Sequence, residues 1–252
     1  MISPVKEGLP YKCAAFLKSI IPPRSVVDTF LFYSGQIEFS LAQSDRLVRA
    51  HTNRYVIYEF WHCMQEEPER IIEMAKYFHE KRHPISTQLL QERWYAQVDH
   101  YVRAAIFLLL NVYSTDGKVS SGALRFANYN PLLLNRVKNC NFENLRINFY
   151  KDESFLKGID YVENSDYVIL PVGKFDYNLF EEGKSYGYET TAVNHTHTKL
   201  KVDACDHKTI VIYKHHQEVL RLYEDYNITM LNEYGRPTSS LEESREIVIA
   251  NF

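Results

Sequence analysis

The sequence predicts an α/β protein with an open, Rossmann-like sheet, and three features of the chain favour this fold class. Short runs of β-branched and aromatic residues, typical of buried strands, alternate with stretches in which apolar residues recur at helical spacing. In the first such unit, a strand at 25–30 passes through a turn ending at Gly35 into a helix that begins at Ile37. A buried strand at 167–170 then leads into proline and glycine, which predicts a loop at the carboxyl edge of the sheet, where ligands bind in this class.

The other elements are predicted from the same periodicities. Helices are predicted over 13–21, 66–78, twice within 88–110, over 131–137 and over 219–223. Strands are predicted over 54–59, 145–150, 209–213, 226–231 and 246–251, the last two as antiparallel neighbours. Residues 111–122 are predicted as a hairpin or loop built on an Asp-Gly turn, and 183–208 as a loop.

Length, charge and cysteine content limit the functional classes. A chain of 252 residues suits one large α/β domain or a domain carrying an insertion. Its net charge of −3 argues against a uniformly basic nucleic-acid binder, although a local basic patch depends only on the field at one face. Four widely spaced cysteines, with no signal peptide, predict reduced thiols in a cytoplasmic protein. The most apolar run, 104–110, is too short to span a bilayer, so no membrane is expected as a partner.

Glu59 is the first candidate binding residue. It ends the predicted second strand, 24 residues after Gly35, and an acidic residue at that place commonly accepts hydrogen bonds from a ribose. The other interpretation is a strand-end carboxylate in a polar cluster. The stretch 195–216 contains imidazole and thiol groups of the kind that bind zinc, but its spacings match no zinc motif, so no metal site is predicted.

Six stretches of the chain carry a resemblance to a known family. They are 3–12 with the helix that follows, 28–39, 56–59, 103–111, 126–130 and 227–252. In content and order they resemble the Dam-type (D12 class) DNA adenine methyltransferases, which use S-adenosylmethionine to methylate the exocyclic amine of adenine. For example, 103–111 reads RAAIFLLLN where the family has R-A-x-x-F-L-x-L-N, and 246–252 reads EIVIANF where it has E-[LV]-L-I-x-N-[FY].

The resemblance covers nearly the whole chain and implies its domain organisation. It implies a class I S-adenosylmethionine-dependent methyltransferase-like α/β core over 1–61 and 144–252. It also implies that 62–143 is an inserted helical and hairpin subdomain, which in that family recognises the target sequence.

The catalytic motif of the family, D-P-P-Y, falls on four residues that cannot perform its chemistry. These residues are Leu170, Pro171, Val172 and Gly173. In the family, the carboxylate and the first proline's carbonyl accept hydrogen bonds from the adenine amine, and the tyrosine stacks on the flipped base. Leu170 accepts no hydrogen bond and Gly173 has no ring, so only the backbone carbonyl of Pro171 is left. No catalytic residue is predicted to be intact, unless Asp176 and Tyr177 form a shifted motif.

The cofactor motif of the family is eroded as well. The resemblance implies that Lys12, Gly35 and Glu59 would contact S-adenosylmethionine if the cleft survives. However, the turn at 32–35 keeps a single glycine and carries aromatic side chains such as Tyr33, where the motif needs glycine so that the cofactor can approach the backbone. We therefore expect a cleft that is filled by side chains and binds no cofactor.

The hairpin at 113–126 is the candidate nucleic-acid reader, because the resemblance implies target recognition there. The residues suited to phosphate and polar contacts are Lys118, Ser120, Ser121, Arg125 and Asn128. The other interpretation is an ordinary surface loop.

Taken with the resemblance, these features predict a degenerate, catalytically inactive homologue of a DNA adenine-specific methyltransferase. It would bind double-stranded DNA or another nucleic acid, or act as the non-catalytic subunit of a complex with an active methyltransferase or another protein partner. Two alternatives stay open: an active DNA adenine methyltransferase with unusual motifs, and a structural or assembly protein that retains only the fold. A phage or mobile-element origin would suit the distribution of the family.

Overall fold

The computed structural model describes residues 3–6, 10–115, 117, 119, 123–151, 154–175 and 193–252. These residues divide into two compact units. Unit 1 contains the described residues of 1–10 and 54–142, and unit 2 contains those of 11–53 and of 143 to the C-terminus. The sequence places the start of the insertion at residue 62, whereas unit 1 takes in the chain from Arg54 onward.

Unit 2 is built on a seven-stranded sheet with the order β3-β2-β1-β4-β5-β7-β6. The strands are β1 (Val26–Thr29), β2 (Leu47–Thr52), β3 (Leu145–Phe149), β4 (Tyr167–Gly173), β5 (Lys208–Lys214), β6 (Asn227–Leu231) and β7 (Glu246–Ala250). The strands β1 to β5 pair in parallel, and β7 runs antiparallel to both β5 and β6. The predicted α/β fold class and the antiparallel pairing of the last two strands are confirmed.

The burial of the strands follows from their composition. All seven residues of β4 are buried, as expected for a central parallel strand that is covered on both faces. β3 lies at the edge of the sheet, and its Arg146 and Asn148 are exposed. The strand order reverses between β1 and β4. At such a switch point, the carboxyl ends of the strands border the crevice in which α/β proteins bind ligands.

Ten α-helices complete the described part of the chain. In unit 2 they are α1 (Ala14–Ile20), α2 (Gln36–Ala42), α8 (Phe155–Ile159), α9 (His195–Asp203) and α10 (Gln217–Leu222). In unit 1 they are α3 (Tyr55–Glu66), α4 (Pro68–Glu80), α5 (Pro84–Arg93), α6 (His100–Tyr113) and α7 (Leu132–Lys138), with short 3-10 helices at Trp94–Ala96 and Phe126–Asn128. Among the described residues, no helix has the length and apolar character needed to cross a membrane.

The prediction of a second strand at 54–59 is wrong. The strand is β2, and residues 55–59 form the start of α3. The buried side chains Ile57, Phe60 and Trp61 line one side of this helix, but a run of six residues does not distinguish helical from strand spacing. β2 is less conspicuous in the sequence because three of its six residues, Arg49, His51 and Thr52, are polar.

The prediction of a loop over 183–208 is wrong for its second half, which contains α9. Asn194 begins the helix, since its side-chain oxygen accepts a hydrogen bond from the backbone N–H of His197 at 2.9 Å. Thr198 and Val202 are buried on the helix face that packs inward. The rest of that prediction, up to residue 192, lies outside the described residues.

Unit 1 is organised around α6, in which eleven residues are buried. Asp99 caps its N-terminus by accepting hydrogen bonds from the backbone N–H groups of Tyr101 and Val102. At the same end Asp99 also pairs with Arg70 of α4, at 3.0 Å. At the other end, Nδ1 of His79 in α4 lies 2.8 Å from the hydroxyl of Tyr113 in α6. The two helices therefore run side by side in the same direction.

Candidate functional site: the carboxyl edge of the sheet

The four residues at the position of the catalytic motif lie inside β4. The prediction that the strand ends at Leu170 is wrong, because pairing with β5 continues through a bulge to Gly173. Leu170 and Val172 are 0 % exposed and belong to the hydrophobic core of unit 2. Gly173 adopts a positive φ of 81°, which suits glycine at the end of the strand. Side chains at 170 and 172 are therefore part of the core and unable to meet a ligand.

The carbonyl oxygen of Pro171 is already occupied by a group from the same chain. The hydroxyl of Tyr11 donates a hydrogen bond to it, with an oxygen–oxygen distance of 2.7 Å. The backbone N–H of Tyr11 donates in turn to the side-chain oxygen of Gln36, the first residue of α2, at 3.1 Å. Tyr11 thus spans from the start of α2 to β4, and the acceptor that the family uses for the adenine amine is satisfied internally.

Lys12 continues this contact toward β5 and β7. Its backbone N–H donates to both carboxylate oxygens of the buried Glu246, at 2.8 and 2.9 Å. The ammonium of Lys214 pairs with the same carboxylate at 2.5 Å and lies 4.7 Å from the centre of the Tyr11 ring. Gly235, at φ 73°, meets the carbonyl of Lys12 so closely that a Cβ would collide with it. Residues 11 and 12 are therefore held firmly across the sheet edge.

The turn after β1 is filled with aromatic side chains. Gly35 has the left-handed φ of 74°, and an added Cβ would stand 2.7 Å from the ring of Phe39 and 3.2 Å from that of Phe32. Both rings and that of Tyr33 are buried. This packing leaves no gap at Gly35 itself of the kind that a close approach of a cofactor to the backbone requires.

The acidic group near the first two strands is Asp28, which is buried and paired. Its carboxylate accepts hydrogen bonds from Arg49 at 2.5 and 3.1 Å, and the other oxygen lies 2.6 Å from Nε2 of His51. Burial alone would raise the pKa of Asp28, but the hydrogen bonds from His51, Arg49 and Ser165 together lower it. The ring of His51 is stacked on Phe30 at 4.7 Å. The charge of Asp28 is therefore neutralised within the sheet.

Glu59 does not lie at the end of a strand, because it is part of α3 in unit 1. It is buried, and both of its oxygens bind the guanidinium of Arg103, one of them at 2.7 Å from Nε. The hydrogen bond to Glu59 raises the pKa of Arg103. β2 ends instead with His51 and Thr52, neither of which carries a carboxylate.

The segment after β4 begins with an aromatic stack. Phe175 lies between the rings of His195 and His216, at centroid distances of 4.4 and 4.8 Å and nearly parallel to both. Nδ1 of His195 is 3.1 Å from the hydroxyl of Tyr213 in β5. The two residues of the shifted motif, Asp176 and Tyr177, follow directly but lie outside the described residues.

Of the candidate nucleic-acid contacts, Lys118, Ser120 and Ser121 lie outside the described residues. Arg125 is exposed. The side-chain amide of Asn128 donates to the carbonyl of Tyr113 at 3.0 Å, and so helps to end α6. The amide nitrogen of Asn128 therefore already donates a hydrogen bond within the chain.

The structure adds three exposed cations to Arg125 that the sequence did not single out. The guanidinium of Arg82 lies 5.8 Å from the ring of Phe126, the residue after Arg125. Tyr129 stacks on His79 of α4 at 3.6 Å. These contacts bring the end of α4 next to the segment that leads into α7. We call four exposed cations at the end of α4 and from Arg125 into α7 the basic surface: Lys81, Arg82, Arg125 and Arg136.

Charge repulsion at the basic surface is visible in its neighbours. Burial lowers the pKa of His79, and the nearby Arg82 lowers it further. Lys6, whose ammonium donates to the carbonyl of Val112 at 2.8 Å, has its pKa lowered by burial and by Arg136. The run Lys81-Arg82 at the end of a predicted helix was the signal in the sequence for this surface.

Comparisons with known proteins do not identify a family. No protein-family model matches the chain, and no curated protein matches it. Within the described part of the chain, no three histidine, cysteine or acidic side chains are grouped as metal ligands would be.

Proposed function

We propose that this protein is a degenerate, catalytically inactive relative of the DNA adenine methyltransferases that binds nucleic acid through unit 1. The observation that carries the proposal is the hydrogen bond from Tyr11 to the Pro171 carbonyl, next to a buried Leu170. The strand order, with a reversed β7 between β5 and β6, is the order of class I S-adenosylmethionine-dependent methyltransferases and supports that class. Because one fold hosts many functions, the site has to carry the argument.

Methyl transfer to an adenine amine needs acceptors that hold the amine in place while charge develops on it. Removing one acceptor of this kind typically costs about 3–4 kcal/mol of transition-state stabilisation. At Leu170 the carboxylate is missing, and at Pro171 the carbonyl is bound by Tyr11. One acceptor of the motif is therefore missing and the other already accepts a hydrogen bond from Tyr11, which disfavours orientation of the amine.

Cofactor binding is disfavoured for a separate reason. The turn at Gly35 is filled by Phe32 and Phe39. β2 ends without a carboxylate for a ribose, and Glu59 is bound to Arg103. The two changes are independent of the catalytic motif, which favours loss of the whole reaction over a change in one loop.

Nucleic-acid binding is supported by the basic surface. Its four cations are exposed, whereas the charged groups at the sheet edge are bound to one another. Exposed cations that neutralise phosphates release counterions, so the affinity should fall steeply with salt, with a slope of about −0.9 per neutralised phosphate on duplex DNA.

The first experiment is a titration of the full chain with S-adenosylmethionine by calorimetry, together with a labelled methyl-transfer assay on mixed-sequence duplex DNA. We expect no heat of binding and no transfer. Binding with transfer would contradict the proposal and favour the active-enzyme alternative. Asp176→Asn would then identify a shifted motif, because β4 ends at Gly173 and places 174–177 directly after the strand.

The second experiment measures binding of labelled duplex and single-stranded DNA by fluorescence anisotropy over a salt series. We expect binding at low salt with a linear decrease of log affinity against log salt. If neither nucleic acid binds at low salt, the nucleic-acid part of the proposal is wrong. The inactive fold would then serve as a non-catalytic subunit or a structural component.

A further inference from the structure

Val98 is an apolar side chain that the fold holds in solvent. It is 96 % exposed, in the loop between the 3-10 helix and α6. Arg103 donates hydrogen bonds to the backbone carbonyls of both Gln97 and Val98, the latter at 3.1 Å. The same guanidinium is fixed by Glu59. The largely buried Glu59–Arg103 ion pair thus fixes the position of Val98 and holds this loop in place.

Acidic residues lie at the N-terminal ends of α4 and α6, close in the chain to Val98 or to its neighbour's partner Arg70. Asp99 follows Val98 and binds Arg70, whose other neighbour is Glu67 at 3.9 Å. Glu66 contacts the hydroxyl of Tyr101 at 3.3 Å, and the exposed Glu69 precedes Arg70 in α4. We call Val98 with Glu66, Glu67, Glu69 and Asp99 the Val98 surface. Arg70 is the counter-charge within it, so the surface stays negative.

The basic surface also contains exposed apolar side chains. Leu132 is 65 % exposed and lies four residues before Arg136 in α7, so both project from the same side of that helix. Tyr77 is 58 % exposed and has the same relation to Lys81 at the end of α4. Glu80 is the counter-charge here, and the surface stays positive.

The two surfaces lie at opposite ends of the same helix pair. α4 and α6 run side by side in the same direction, with the Arg70–Asp99 pair at their N-terminal ends and the His79–Tyr113 pair at their C-terminal ends. A helix of this length spans about 20 Å. The helix dipole would by itself favour acids at the N-terminal ends and bases at the C-terminal ends of these helices. It does not explain why exposed apolar side chains lie among the charged ones.

We propose that copies of this chain associate head to tail, with the Val98 surface of one copy docked on the basic surface of the next. Each surface combines exposed apolar area with an excess of one sign of charge, and the two excess charges are opposite; this complementarity favours a second copy as the occupant. Because two different patches meet, the contact is heterologous and leads to rings or open chains, and not to a closed two-fold dimer. The proposal goes beyond nucleic-acid binding and does not depend on it, but both use the basic surface, so nucleic acid and a second copy would compete for it.

Sedimentation velocity of the full chain over a concentration series tests the association directly. At about 20 mM NaCl the average mass should increase with concentration, and at about 500 mM it should return toward that of a monomer, because salt screens the charges. A single monomeric species under both conditions, at all concentrations, would overturn the proposal.

Two single variants test the head-to-tail geometry. Val98→Asn removes the apolar group of one surface and Leu132→Asp puts an acidic group on the other, and each should weaken self-association by about tenfold or more. An equal mixture should form dimers and nothing larger, since each variant brings one intact surface. Failure of the mixture to associate, or unchanged association of either variant alone, would overturn the proposal.

The control is Leu241→Asp, at a residue of unit 2 that is 54 % exposed. It should associate like the unchanged protein. Thermal unfolding should be the same for all three variants, because none of the replaced side chains is buried. A variant that unfolds earlier is replaced by Val98→Ser or Leu132→Ser, which remove the apolar group without adding charge.

Discussion

The carboxyl edge of the sheet in unit 2 and the helix ends of unit 1 use charged residues in opposite ways. At the sheet edge Glu246 is bound to Lys12 and Lys214, and within the adjoining strands Asp28 is bound to Arg49 and His51. At the end of α4 and along α7, by contrast, the side chains of Lys81, Arg82 and Arg136 are exposed. A charged group that is bound inside the fold stabilises the chain, and one that is exposed is available to a partner.

This difference indicates which region of the protein is available to bind a ligand. In an α/β sheet the crevice at the switch point is the expected binding place, yet here Tyr11 and Lys12 lie across it. The basic surface, whose cations are exposed, lies in unit 1. Substitutions at the sheet edge and on the basic surface test this difference.

The largest effect is expected from Glu246→Ala. It leaves Lys214 without its counter-charge in a mostly buried position and removes the acceptor for Lys12, so the free energy of unfolding should fall by about 3–5 kcal/mol. Urea unfolding measures this. Glu246→Gln is the control, because it keeps an acceptor for Lys12 and should lose less. A loss below about 1 kcal/mol in the alanine variant would show that the edge contacts are not what closes the crevice.

The next effect is expected from replacing three cations of the basic surface, Arg82, Arg125 and Arg136, by glutamate. Affinity for duplex DNA at low salt should fall about a hundredfold, and the salt slope should decrease by about 0.9 for each phosphate that is no longer neutralised. Fluorescence anisotropy over a salt series gives both values. Arg236→Glu, an exposed arginine of unit 2, is the matched control. Equal losses in the triple variant and the control would contradict a specific surface in unit 1.

Tyr11→Phe tests how much the Tyr11 hydroxyl contributes to stability and to closure of the sheet edge. It removes the hydrogen bond to the Pro171 carbonyl and should reduce the free energy of unfolding by about 1 kcal/mol, or up to about 3 kcal/mol if the carbonyl stays buried and unpaired. S-adenosylmethionine should still not bind, because the Gly35 turn is filled independently. Calorimetric binding in this variant would mean that Tyr11 alone closes the site.

The smallest effect concerns the pH dependence of Asp28. Its pKa in the folded protein is lower than in the unfolded chain, so the unfolded chain binds the proton first as the pH falls. The stability that Asp28 contributes is therefore fully present above about pH 4 and is lost below it. Urea midpoints between pH 5 and pH 3 measure this, and Asp28→Asn should flatten that part of the profile. An unchanged profile in the variant would assign the acid sensitivity to other carboxylates.

Strands rich in β-branched residues could be predicted because their local pattern matches their burial. β1 and β7 fall within predicted runs, β4 and β5 contain theirs and extend beyond them, and both faces of β4 are covered. The run at 54–59 has a similar composition but forms the start of α3, since Ile57, Phe60 and Trp61 bury one helix face. For short apolar runs, tertiary packing decides between helix and strand. The same is true of α9, whose signal is confined to a single capping asparagine.

The sequence by itself determined the α/β class and the apolar character of residue 170, because both depend on residue type and local spacing. Tertiary structure alone decided the state of the candidate site. The contact between Tyr11 and Pro171 joins residues 160 positions apart, and that between Lys12 and Glu246 joins residues 234 apart. No local pattern encodes such pairs, since they form only when the folded sheet brings distant segments together and excludes water from their hydrogen bonds.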